Sequence, residues 1–108
     1  MSDLNVKGAK LNLLNKDWYL LFTVNVIDKV QEDFDIHIND LKEILDGSKK
    51  EFFRNISYLT WILVNEQIEI ENDNKTEQQE FLSLPAIKRS ISNRNVNQCF
   101  DASVSAYT

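Results

Sequence analysis

The chain has 108 residues, 17 acidic and 12 basic side chains, and a net charge of −5 at pH 7. That length makes one domain with a modest core, and the negative balance argues against DNA or RNA as the partner, because phosphate binding needs a basic surface. Two glycines and one proline disfavour a turn-rich sandwich or barrel. No apolar run approaches a membrane span.

Residues 1–8 read as a flexible lead, too polar for a secretory signal. "AKLNLLNKDWYLLF" carries two short apolar runs around Asn15, Lys16 and Asp17. It reads as a small β-hairpin, or its second arm as an extended lead into the first helix. Thr23 is placed to cap a helix to about Phe34, with Val24, Ile27, Val30 and Phe34 at helical spacing. Asn39 is placed to cap a second, short helix with Leu41, Ile44 and Leu45 inside. Gly47 stands where a left-handed terminal residue is wanted.

Ser48 and Glu51 have the spacing of a capping box, which predicts that a third helix starts at Ser48 and runs to about residue 65. Phe52, Ile56, Leu59 and Leu63 form its first stripe. Phe53 and Trp61 widen it until the helix is apolar on all sides and needs cover from several directions. Residues 66–80 hold six acids and one base, the whole of the net charge, and 66–76 reads as an acidic loop. "TEQQEFLSL" predicts a helical turn or two. "PAIKRSIS" predicts a short helix with Ile87 and Ile91 inside and Pro85 in its first turn. Asn95 is placed to cap a last helix carrying Val96, Cys99, Phe100 and Val104. The final "SAYT" has no helix-ending signal, which suggests a shortened version of a longer product. The expected fold is mainly α, packed around the central helix at about 48–65, with a short N-terminal β-hairpin.

No residue cluster announces a chemistry. His37, the sole histidine, stands between two isoleucines and reads as structural. The lone cysteine Cys99 excludes an internal disulfide, fits a reducing cytosol, and lacks ligand spacing with His37 for zinc. "DFDIHIND" lacks the glycine and glutamate of a calcium loop. Gly8 and Gly47 are too far apart for a phosphate loop. No catalytic, metal or cofactor site is expected, and the chain does not read as an enzyme. Lys88, Arg89 and Arg94 form a small basic patch that offsets the acidic segment or lies at a subunit contact. Trp18, Tyr19, Phe53 and Trp61 are the candidate partner-binding residues: all four fill the core, or some line an apolar groove for a partner helix or a second subunit.

The order of these features resembles the tail assembly chaperones of long-tailed bacteriophages. The resemblance is carried by the extended "AKLNLLNKDWYLLFTV", the helices "NVIDKVQEDFD" and "INDLKEILDG", the apolar "EFFRNISYLTWILVNEQIEI" and the closing "VNQCFDASVSAYT", over residues 9–107. The turn "NEQIE" departs from the glycine often expected there. The resemblance implies an all-α protein in the cytoplasm of the infected host. Such a protein coats the apolar surface of the helical tape measure protein until tail tube subunits replace it. It also implies homo-oligomers and a longer frameshifted form. The rival expectation is a small acidic regulator or inhibitor that binds a basic protein partner through residues 66–80.

Overall fold

Alternation of apolar and polar residues builds the first element of the computed structural model, which describes residues 8–108. Strands β1 (Ala9–Leu13) and β2 (Lys16–Leu20) pair antiparallel, with Leu11 opposite Trp18 and Leu13 opposite Lys16. Leu11, Leu13, Trp18 and Leu20 face inward, as the period of two requires. On the outer face Asn12 Nδ2 donates to Asp17 Oδ1 at 2.9 Å, and Lys10 pairs with Asp17 at 3.6 Å. The turn lies one position earlier than expected, at Leu14–Asn15, with φ of 56° and 60°. Two positive φ values suit a two-residue hairpin whose twist matches its strands. Gly8 also has a positive φ, and a Cβ there would collide with the Leu20 carbonyl oxygen. The expectation of flexibility for residues 1–8 otherwise lies outside the described residues.

Helix α1 (Val24–Phe34) begins where the sequence predicts: Thr23 Oγ1 accepts from the Val26 N–H at 3.2 Å. Its buried residues are Val26 and Val30, whereas Val24 is exposed. The next cap differs from expectation. His37 Nδ1, not Asn39, accepts from the Asn39 N–H at 3.1 Å and opens a 3-10 turn, Ile38–Asp40, that runs into the one-turn helix α2 (Leu41–Ile44). Gly47 does not adopt a positive φ.

The longest helix, α3, spans Phe52–Asn72 and corrects both predicted boundaries. Ser48 caps nothing, because Asp46 Oδ1 accepts from both its N–H (2.9 Å) and its hydroxyl (2.7 Å). That bond holds residues 46–51 in turns, and α3 begins after them. At the other end the acidic stretch expected as a loop continues the helix through Asn72, because its residues have partners. Ile68 is fully buried. Glu66 accepts from the Thr23 hydroxyl at 2.6 Å, Glu71 pairs with Lys16 at 3.9 Å, and Gln67 accepts from the Tyr19 N–H. The last contact also covers an otherwise open strand edge.

The chain then turns back along α3. The helical turns expected at 76–84 do not form before Leu84, and residues 78–83 carry neither helix nor strand, while two asparagines on α3 take over backbone hydrogen bonding at Gln79 and Leu82. Asn72 Nδ2 donates to the Gln79 carbonyl (3.0 Å) and its Oδ1 accepts from the Gln79 N–H (2.9 Å). Asn65 makes the same pair with Leu82, both at 2.9 Å. Helix α4 (Leu84–Ser90) is capped by Ser83, whose Oγ accepts from Ala86 N–H, and has Pro85 in its first turn. Asn95 precedes α5 (Val96–Tyr107) without capping it. Its amide instead bridges Ser90 and Ser92, both at 2.8 Å.

Helix α3 therefore lies at the centre, in contact with β2, α1, α4 and α5, while α5 also packs on the hairpin. The fold is mainly α with a short antiparallel hairpin. Ile56, Leu59, Leu63, Val64 and Ile68 are fully buried along its length.

The Leu14 backbone gives the first prediction. A left-handed conformation costs a leucine about 1 kcal/mol and suits asparagine better, and the Leu14 side chain is 47% exposed. Leu14→Asn is expected to raise unfolding stability by about 1 kcal/mol in a denaturant titration.

Candidate functional site

The four candidate contact residues do not share one surface. Trp18 is a correction: at 2% exposure it is core and offers nothing to a partner. Its ring packs under the hairpin, Nε1 donates to the Leu13 carbonyl at 2.9 Å, and Lys16 Nζ lies 4.2 Å from the ring centroid. Tyr19 (40% exposed) stands on the outer face of β2 and Phe53 (46%) at the start of α3 against Phe52. Trp61 is half-buried and lines a cleft.

That cleft, about 310 Å³, runs along α3. Trp61, Ile62, Asn65, Glu66 and Glu69 form its floor. Asn25, Val26 and Lys29 of α1 form one wall, and Phe81 of the returning segment forms the other. The walls are fixed by bonds already described. Trp61 Nε1 donates to the Leu82 carbonyl at 2.8 Å, beside the Asn65 amide. Holding Leu82 on α3 leaves its neighbour Phe81 55% exposed at the rim.

The two ends of the cleft differ in charge. At one end Lys29 is engaged: it pairs with Asp33 at 3.0 Å and sits 5.5 Å from the Trp61 ring centroid. Nearby, the Tyr58 hydroxyl donates to Asp33 Oδ2 at 2.7 Å, and the Tyr58 ring meets Trp61 and Phe34 edge-on. Hydrogen bonding to Asp33, then burial and the Asp33 charge, push the Tyr58 hydroxyl up to about 12. Burial alone would raise the Asp33 carboxyl, but the Tyr58 hydroxyl and Lys29 outweigh it and hold it below its ordinary value. At the other end stand Glu66 and Glu69, which have no ion-pair partner among the described residues.

A second cleft, also about 310 Å³, lies between α2 and α5 and is more apolar, lined by Leu41, Leu45, Phe100, Val104 and Tyr107. The aromatic lining residues Phe81, Phe100 and Tyr107 were not among the sequence candidates. Phe81 gave no periodic signal, because side chains on α3 set the path of its segment.

The reactive residue types are dispersed. His37 is exposed and spends its Nδ1 on the backbone. Cys99 is fully buried between α3 and α5; burial pushes its thiol up to about 11, against the opposing effect of the Thr60 hydroxyl. Among the described residues no group of three His, Cys, Asp or Glu side chains gathers to hold a metal. No helix among them is long and apolar enough to cross a membrane. No protein-family model, curated protein or solved structure matches the chain.

The Tyr58–Asp33 bond gives a pH prediction. A tyrosine whose folded-state value is raised contributes stability fully below its unfolded value near 10 and loses it as pH rises through about 12. The lowered Asp33 contributes above its unfolded value and loses that contribution as pH falls through the lower folded one. Tyr58→Phe is expected to remove a phenolate absorbance step at about 12. It should cost roughly 1 kcal/mol at neutral pH, less than the about 1.5–3 kcal/mol of bonds to charged groups, because this one is partly solvated. Both effects are read by spectrophotometric titration and by denaturation at several pH values, and the stability loss should shrink as pH rises from about 10 to about 12.

Proposed function

We propose that this protein is a non-enzymatic tail assembly chaperone of a long-tailed bacteriophage. In this reading it acts in the host cytoplasm as an oligomer, binds the helical tape measure protein, and yields it to tail tube subunits. The order of features over residues 9–107 supports the reading. The observation that carries it is the division of apolar surface. The central helix is largely covered by its own chain, while half-buried Trp61 in the floor and exposed Phe81 at the rim leave apolar surface open in a cleft along that helix. A long amphipathic helix without its partners aggregates through its apolar stripe. Small proteins that each cover one stretch screen that stripe, and weak repeated contacts add up by multivalency.

A second reading, an acidic regulator of a basic protein, is favoured by Asp73, Glu77 and Glu80, which are exposed and lie outside the cleft. The two readings separate on which surface matters. Neutralising those three acids abolishes binding by a regulator that reads charge and leaves the chaperone intact.

Co-expression with a fragment of the tape measure protein encoded in the same genome is expected to raise that fragment's soluble yield. An unchanged yield contradicts the chaperone reading.

A further inference from the structure

Resting on the chaperone reading for the partner's identity, we infer that the cleft between α1, α3 and the returning segment binds a basic amphipathic helix. The partner helix seats one large apolar side chain between Trp61 and Phe81 and lays a lysine or arginine over Glu66 and Glu69.

Three observations carry this. First, the apolar rim is held open by design of its supports. The Asn65 amide and Trp61 Nε1 fix Leu82 on α3, so Phe81 stays outside at 55% exposure although the backbone beside it is pinned. A preorganised aromatic rim of this kind suits an anchor side chain. Second, the charge of the cleft is one-sided. Its cation, Lys29, is taken by Asp33 at 3.0 Å, whereas Glu69 is exposed and Glu66 accepts only from the Thr23 hydroxyl, and neither has an ion-pair partner among the described residues. An acidic or neutral segment would leave those carboxylates uncompensated, and a basic one meets them with opposite charge. Third, the most cationic helix of this chain is a poor occupant. The helix of this protein richest in exposed cations, α4 with Lys88 and Arg89, has its Ile87 fully buried and lacks a free apolar anchor beside them.

The geometry also sets a spacing. Glu66 and Glu69 lie five and eight residues beyond Trp61 on one helix, or about 7.5 and 12 Å along its axis. A partner helix lying along α3 therefore carries its basic residue about one and a half to two turns from its apolar anchor.

The test is a display library of helix-forming peptides of about eighteen residues. A fixed apolar stripe is flanked by positions randomised among Glu, Lys, Gln and Ser, and selection is on the full-length protein. Enriched peptides are expected to place lysine at the derived spacing, to bind more weakly as salt rises, and to lose about fivefold or more in affinity with Phe81→Ala and with Glu69→Lys. Both positions are exposed, and thermal melts confirm that the variants fold. Several results overturn the inference: no enriched peptide, enrichment without lysine, or binding that neither substitution weakens. Self-association of the free protein in sedimentation, abolished by Phe81→Ala, also overturns it by assigning the cleft to a second copy. A tape measure fragment solubilised equally by wild type and both variants removes this inference and leaves the chaperone reading standing. A fragment that no version solubilises, alongside lysine-dependent peptide binding, does the reverse.

Discussion

A helix whose stretch from Tyr58 to Val64 is apolar apart from Thr60 cannot stand in water, and the rest of this fold answers that constraint. Four elements from both ends of the chain converge on α3: β2, α1, α4 and α5. A 108-residue chain has little surplus with which to build a second core. The small or polar residues on α3 mark how closely the layers meet. Thr60 and Ser57 are buried among the large side chains, and Cys99 and Ser103 line the α5 face. Asn55 donates to the Ile44 carbonyl at 3.0 Å, which ties the end of α2 to the same helix.

The far end of α3 shows the same logic with polar groups. Glu66, Gln67, Glu71 and Asn72 project from a continuing helix and bond to Thr23, Tyr19, Lys16 and Gln79. They fasten the hairpin, α1 and the returning segment to a helix whose apolar faces are already occupied. Asn65 and Asn72 stand two turns apart and hold the returning segment through side-chain amides, in the place of a neighbouring strand.

Much of the architecture is legible in the residues themselves, and the misses share a cause. Strand alternation and the Thr23 cap are local signals, and the hairpin and α1 follow them. The apolar density of 56–64 identifies the central helix for the same reason. Ser48 and Glu51 satisfy a capping pattern, but Asp46 competes for the same serine and wins by proximity in the turn. The acidic end of α3 looks like solvated loop because its partners lie more than forty residues away in sequence, at Thr23, Lys16 and Tyr19. Trp18 illustrates the limit for function. An aromatic count shows that rings are abundant, but only the pairing of Trp18 with Leu11 across the hairpin shows that this one is core. Of the candidate cleft, Trp61 was visible in the sequence and Phe81 was not, since its exposure follows from a tertiary bond to its neighbour.

Because β2, α1, α4 and α5 all pack on α3, it should be the most protected element of the fold. Native-state hydrogen exchange across increasing denaturant measures this residue by residue. The amides of Ile56–Ile68 should exchange last, with an opening free energy equal to that of global unfolding. Exchange of those amides through a lower-energy opening, while α1 and α5 stay protected, would contradict it.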